Sequence, residues 1–300
     1  MVQGKSIDIT VKILTGFCFL IIAAIIIVVM SNIITGGWAQ LSWEFIFQPP
    51  RKGMTAGGIF PAIFGTFALV LIMTIFVLPI GIITAIFMNE YSSGFPRLSG
   101  VIRVAVNNLS GVPSIVFGLF GLGFFVQFVG WGADWILGHE MKWSQPCLLW
   151  ASMTMALLTL PVVIVSTEEA LRSIPKEHRE GSLALGSTKW QMIRHIVIPQ
   201  ALPGILTGAI LSVSRGAGEV TPILFTGAAY FLPRLPSSLS DQFMELGYHI
   251  YIMSTQSVDV DATLPIQYAT TLILLLLTFT LNFSAIFLRA HIRRKRGALK

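Results

Sequence analysis

The segment Glu180 to Pro199, EGSLALGSTKWQMIRHIVIP, is the longest polar, charge-bearing stretch set between two apolar runs. It reads as two short helices joined by a glycine hinge. Pro175 suits a first helical turn and Gly186 its end, after which Ser187 is expected to cap a second helix that stops near Pro199. A polar helix–glycine–helix elbow between apolar runs has the character of a docking element at the face of a membrane protein.

The flanking composition fits that setting. Of 300 residues, 54% are hydrophobic and 11% charged, against roughly one-quarter charged in soluble domains. Several apolar runs each approach the roughly 20 residues needed to cross a bilayer, so a soluble catalytic domain has no room. The formal charge of +6 would suggest nucleic acid in a soluble protein, but here the basic residues gather at run ends and in the tail RAHIRRKRGALK, which suits anionic lipid headgroups. Cys18 and Cys147 show no pairing or metal-ligand spacing and read as buried or lipid-facing thiols; the histidines are scattered, so no metal site is expected. Gly4-Lys5-Ser6 lacks the preceding glycine-rich loop of a phosphate cradle. Any ATP hydrolysis must then belong to another chain.

Six spans are expected, in an all-α membrane protein. After a short polar start, 1–12, comes a retained helix over 13–34, too long for a signal-peptide core. A loop with Trp38 and Trp43 suits the water–lipid interface. The remaining five helices occupy 59–288: 59–88, kinked near Pro79 and Gly81; 111–131; 146–167; 202–228; and 265–287. The elbow fills 168–200 and the basic tail 289–300. In the connection 229–264, SLSDQFMELGYHIYIM has apolar residues at helical spacing and is expected along the interface. Arg172 and the pair Glu168-Glu169 read as a solvated extension of the fourth span, with Arg172 placed to guard its mouth.

Charge fixes an orientation. With the amino terminus inside, the inner segments hold Lys5, Lys12, Arg97, Arg103, Arg172, Lys176, Arg179, Lys189, Arg194 and the tail cations Arg289, Arg293, Arg294, Lys295, Arg296 and Lys300. The outer segments hold only Arg51, Lys52, Lys142 and Arg234. That is the positive-inside bias, and it puts both termini and the elbow in the cytoplasm.

One basic residue, Arg215, and one acidic residue, Glu219, fall inside a span, in SVSRGAGEVTPILFTG. A guanidinium at mid-bilayer costs at least about 2.5–3.5 kcal/mol and usually faces a bundle interior or wet cavity. The four-residue separation lets the two side chains pair on one helix face, which can be a purely structural lock. Gly216, Gly218 and Pro222 instead favour a place where backbone approaches a ligand, and a planar guanidinium matches a tetrahedral oxyanion.

In the elbow, Glu180 stands six residues before Gly186, Gly186 ten before Ile196, and Ile196-Val197-Ile198-Pro199 closes the segment. This resembles the cytoplasmic loop of ABC importer permeases, Glu-Ala-Ala, three residues, Gly, nine residues, Ile-x-Leu-Pro. Gly181 and Ser182 replace the alanines and Ile198 the leucine. More narrowly, GVPSIVFGLFG, GAGEVTPILFTG and Asn282 resemble, over about residues 60–290, the A-type permease subunits of phosphate ABC importers.

The resemblance implies a type I importer permease fold in a bacterial inner membrane, forming half of a translocation pathway. It also implies a C-type permease partner, two copies of an ABC ATPase that bind ATP and Mg, and a periplasmic phosphate-binding protein. Glu180, Gly181, Ser182, Gly186, Ile196, Ile198 and Pro199 then become ATPase-coupling residues, and Arg215 and Glu219 pathway residues, with no catalytic residue in this chain. A permease of the same architecture for molybdate, sulfate or phosphonate is the near alternative. An ATPase-independent transporter is opposed by the elbow and the lack of inverted-repeat halves, and an intramembrane enzyme by the absence of Ser/His, paired-aspartate or metal motifs in the spans.

Overall fold

Apolar runs of this length become helices because hydrocarbon offers no partner for an unpaired backbone N–H or C=O. The computed structural model describes residues 2–138, 140–257 and 259–297; His139, expected on the outer side, and Lys300 lie outside them. In chain order the helices are α1 (Val2–Gly37), α2 (Trp43–Phe47), α3 (Phe60–Ile86), α4 (Pro96–Ser110), α5 (Ser114–Phe120), α6 (Trp131–Leu137), α7 (Leu148–Arg172), α8 (Lys176–Ala184), α9 (Lys189–Met192), α10 (Ile198–Gly218), α11 (Leu246–Gln256) and α12 (Val260–Gly297). A two-residue antiparallel ribbon, β1 (Pro50–Arg51) with β2 (Ala56–Gly57), closes the loop after α2.

Among the described residues, six stretches are long and apolar enough to cross a membrane: Thr10–Gln40, Phe60–Gly94, Ser114–Leu137, Leu148–Arg172, Lys189–Gly218 and Val260–His291. The expected number holds; several ends move. α7 and α12 run past the expected boundaries, and α5 continues through wide turns at Gly121–Gly130 into α6. α3 stays helical through Pro79.

The core is α7 with α3 and α10 packed against it. Small residues set the approach: a Cβ at Gly81 would strike Val163, at Gly204 Ala170, and at Gly208 Ser166. Buried hydroxyls bond back along their own helices, as Thr66 Oγ1 does to Ala62 O and Thr159 Oγ1 to Met155 O. α1 packs chiefly on α12, where Gly36 and Gly37 meet Tyr268 and Ala269, and otherwise exposes apolar residues such as Phe17, Phe19 and Leu20. Lipid is the solvent that such a helix suits.

Two segments depart from expectation. The helix expected to reach residue 228 stops at Gly218, and Glu219 is extended, at φ −89° and ψ 122°. Gly216 and Gly218 weaken the helix, while Pro222 lacks an N–H and biases Thr221 away from helical geometry. A short turn, Thr221–Leu224, then packs against α5, with Gly118 beside Pro222, and Cys147 N donates to Thr226 O at 2.9 Å. Irregular backbone can lie at membrane depth only where protein or a cavity covers it.

α11 was expected along the interface but is packed inward against α12 and α3. Leu246, Gly247, His249, Ile252 and Met253 are buried, and Glu245 caps the helix by accepting from Gly247 N and Tyr248 N. Apolar side chains on every turn of α11 gain more from burial than from an interface that would wet half of them.

Candidate functional site

Two places carry the chemistry singled out by the sequence. The first is the broken end of α10. Gly216 lies against Met73, near the middle of the Phe60–Gly94 span, which puts its neighbour Arg215 at about the same depth. Arg215 Nε and Glu219 Oε1 are 3.5 Å apart, with side chains 40% and 26% exposed. Among the described residues this one long contact is the partner of the guanidinium, and it leaves most of the five N–H donors free.

The surroundings are made for access. A Cβ at Gly218 would meet no atom within 4 Å, so space is open beside the pair. Ser214 Oγ donates to Asn282 Oδ1 at 2.8 Å, joining α10 to α12 next to Arg215. Asn282, read from sequence as a mark of resemblance, is thus an anchor for this face. Ser212 Oγ, one turn earlier, is buried without a hydrogen-bond partner among the described residues.

The second place is the elbow. Pro175 precedes α8, and Gly186 turns the chain with φ +84°, a left-handed conformation in which any side chain would be strained. Ser187 does not cap the second arm: its Oγ donates back to Ser182 O at 2.7 Å. Thr188 is the cap, accepting from Gln191 N while Thr188 N donates to Gln191 Oε1 at 2.8 Å. That reciprocal pair needs a Gln three residues after the cap, and only Thr188 has one. Nor does the second arm end at Pro199. It passes through a wide turn, Ile193–Val197, straight into α10, whose first turn holds Pro199.

The coupling residues therefore divide. Glu180, Gly181 and Gly186 are exposed on the outer bend, with Ser182 half-buried beside them, whereas Ile196, Ile198 and Pro199 are half-buried in the root of α10. Neither Gly181 nor Gly186 has an atom within 4 Å of a Cβ position, leaving that surface clear. Sequence reading passed over three apolar residues on the elbow: Leu185 is 91% exposed at the bend, and Leu183 and Trp190 stand out beside it. The signal was there, as apolar residues in an otherwise polar element.

Behind the bend, a cavity of ≈ 370 Å³ is lined by Asn89, Glu90, Arg172, Ile174, Lys176, Arg179 and Glu180. Glu168, expected to be solvated, is buried; its Oε1 binds Arg103 Nη2 at 2.8 Å and Arg172 Nη2 at 2.6 Å. Arg172 at this mouth is therefore held by Glu168, with more than half of its side chain exposed. At the far side of the membrane helices the acids are turn staples. Asp241 accepts from Ser237 and Ser238, and those bonds bring its carboxyl down to about 2.

Known proteins resemble this chain in sequence and in fold. The family of binding-protein-dependent transport system inner membrane components matches residues 77–297. The probable ABC transporter permease protein YqgI of Bacillus subtilis (strain 168) is 34% identical over 295 residues, 94% of this chain and 95% of its own length. The phosphate transport system permease protein PstA 1 of Mycobacterium tuberculosis (strain CDC 1551 / Oshkosh) is 35% identical over 196 residues, 64% of this chain and 60% of its own length. PstA of Mycobacterium leprae (strain TN) is 34% identical over 211 residues, 69% and 64% respectively. The match thus spans less than two-thirds of those two phosphate permeases.

Among solved structures, a bacterial alginate ABC transporter in complex with an alginate pentasaccharide-bound periplasmic protein aligns with a TM-score of 0.60 at 16% identity, over 90% of this chain and 91% of that one. The inward-facing MetNI methionine ABC transporter aligns with a TM-score of 0.58 at 20% identity, over 77% and 94%. At such identities the likeness is one of fold.

Proposed function

The chain belongs to the family of binding-protein-dependent transport system inner membrane components, and on that basis we propose that it carries phosphate as the A-type permease subunit of an ATP-driven importer. Its fold is that of type I ABC importer permeases, it spans a membrane several times, and it is a transporter subunit whose ATPase is a separate chain. In this reading ATP and Mg bind to two copies of that ATPase below the elbow, a C-type permease completes the pathway, and a periplasmic phosphate-binding protein delivers the substrate from above. Both termini and the elbow lie in the cytoplasm of a bacterial inner membrane, in keeping with the positive-inside bias. Residues 59–288 form the permease core, the 13–34 part of α1 an added first span, and 1–12 and 289–300 the cytoplasmic ends.

The observation that carries the substrate class is Arg215: a half-exposed guanidinium at membrane depth, held by one long contact beside the open space at Gly218. Such a group offsets the charge of a tetrahedral oxyanion with two parallel hydrogen bonds. Glu219 keeps the site from holding the anion too firmly, since a pathway conducts only if its ligand can leave. That relatives are named as phosphate transport system permeases is the reason to choose phosphate over other oxyanions in this reading. Closure of the ATPases moves Glu180, Gly181, Ser182 and Gly186 on the bend, and Ile196, Ile198 and Pro199 carry the movement into α10.

Proteoliposomes holding this chain with its co-purified partners, binding protein and ATP test the reading. Phosphate uptake supports it; uptake of molybdate, sulfate or phosphonate alone keeps the architecture and replaces the substrate, and uptake without any ATPase overturns the importer.

A further inference from the structure

We infer that Arg179 and Glu90 form a clamp that makes α3, α7 and α8 one rigid unit during transport, an inference that rests on reading the elbow as the ATPase-docking element. Arg179 stands on α8, next to Glu180. Its Nη2 donates to Glu90 Oε1 at 3.0 Å and its Nε to the same oxygen at 3.2 Å. Nη1 also donates to Ile174 O and Nη2 to Leu171 O, each at 2.7 Å. All three guanidinium nitrogens are engaged.

Those partners come from different elements. Glu90 lies in the wide turn Phe87–Tyr91 that extends α3, Leu171 is in the last turn of α7, and Ile174 is in the link to α8. The last carbonyls of a helix have no intrahelical partner and carry partial negative charge, so Arg179 caps α7 while pairing with α3. The side chains of Arg179 and Glu90 are 16% and 6% exposed, so most of the pair is buried in the wall of the cavity behind the bend. Asn89 Nδ2 adds a bond to Glu90 Oε1 at 2.7 Å.

A separate contact holds the same segment from the other arm: Lys189 Nζ lies 4.5 Å from the ring centroid of Tyr91. His178 Nδ1 and Gln200 Oε1, 2.8 Å apart, tie α8 to the root of α10. Under these polar ties Ile86, Met88, Leu171, Ile174, Ile193 and Val197 share one buried cluster. Apolar packing alone permits sliding, whereas a planar fork with four directional bonds fixes one geometry. Arg179 and Glu90 are positioning residues: they touch no substrate and act by preventing the elbow from slipping when the ATPase pulls on it.

The test uses the whole importer in proteoliposomes, with Cys18 and Cys147 replaced by alanine and the double substitution Glu90→Cys/Arg179→Cys. Opening the clamp should lower phosphate moved per ATP hydrolysed by about tenfold while the ATPase stays attached. A short bifunctional methanethiosulfonate linker joining the two thiols should restore coupling, and reductant should remove it again. Arg179→Lys, which keeps the charge and loses the fork, should fall between; it also serves if the double variant fails to assemble, and wild-type coupling there overturns the clamp. Full coupling in the unlinked double variant, or transport stopped by the linker and released by reductant, overturns it too, the latter because the elbow would have to move against α3. A wild-type complex whose ATPase responds to the binding protein but moves no phosphate instead overturns the substrate reading, and the clamp is then read from that ATPase response.

Discussion

The pair Arg215–Glu219 and the pair Arg179–Glu90 use the same two side chains under different degrees of satisfaction. At the broken end of α10, one contact of 3.5 Å leaves Arg215 40% exposed. At the elbow, Arg179 is 16% exposed and makes four hydrogen bonds to a carboxylate and two carbonyls. Arg179 spends four of its five N–H donors and has little left to offer a ligand, whereas a guanidinium with most donors unused at membrane depth is costly unless something visits it. The proposed pathway role of Arg215 therefore rests on its unused donors more than on charge or depth.

The strongest challenge to that contrast is Arg215→Gln. A visiting oxyanion should lose two charge-assisted hydrogen bonds of about 1.5–3 kcal/mol each, so uptake should fall by about 100-fold or more, with the ATPase still bound. Normal uptake would make Arg215 a lock like Arg179, and the contrast would collapse. Radiolabelled phosphate flux alongside pull-down of the ATPase separates the outcomes.

Glu219→Gln sharpens the same contrast in the other direction. Removing the charge of the carboxylate that pairs with Arg215 leaves the guanidinium without that counter-charge and more attractive to phosphate. The substrate should be held longer, with half-saturation at lower phosphate and maximal flux down several-fold. If flux falls without that gain in apparent affinity, Glu219 acts by holding α10 and not by tuning release.

How much of this could be read in the chain depends on the range of the cause. The six spans follow from hydropathy, a property of each run by itself, and they were found. The end of α10 at Gly218 was signalled by Gly216, Gly218 and Pro222, but the apolar run to residue 228 outweighed those signals. Thr188 and Ser187 are both good caps; only the spacing to Gln191 separates them. The clamp left no local trace, because Glu90 and Arg179 are brought together by the packing of α3, α7 and α8. The burial of Glu245 was equally hidden, since it depends on Thr66 from α3.

Glu245 tests satisfaction in a third setting, buried with no cation paired to it among the described residues. It accepts from Gly247 N at 2.8 Å and Tyr248 N at 2.6 Å, yet burial outweighs those bonds and pushes its carboxyl up to about 7. The native state thus holds this proton more tightly than the unfolded chain. Its stabilisation is full below about pH 4.5 and is lost as pH rises through about 7. His249, one turn along α11, has the opposite slope: burial takes it down to about 4, so stability is lost as pH falls from about 6.5 through about 4. Above about pH 6.5 Glu245 acts without that opposing term. Thermal midpoints of the detergent-solubilised protein should decline from about pH 6.5 to about pH 8, and Glu245→Gln should flatten that decline even if it lowers every midpoint. An unchanged slope would mean the bonds from Gly247 and Tyr248 keep Glu245 ionised throughout.

The smallest effect separates the clamp from general stiffness of the elbow. Thr188→Ala removes the bond from Gln191 N to Thr188 Oγ1, 3.3 Å long and exposed, at a cost of about 1 kcal/mol. Amide exchange over residues 188–192 should quicken by about fivefold if the first turn of α9 opens locally. Coupling should nevertheless stay within about twofold of wild type, because Arg179 still ties α8 to α3 and α7 and Lys189 can still reach Tyr91. If so slight a loosening uncoupled the importer as far as opening the clamp does, stiffness spread over the whole elbow would carry the ATPase's movement. The four bonds of Arg179 would then be one contribution among many, and dense satisfaction would no longer identify the residues that transmit force.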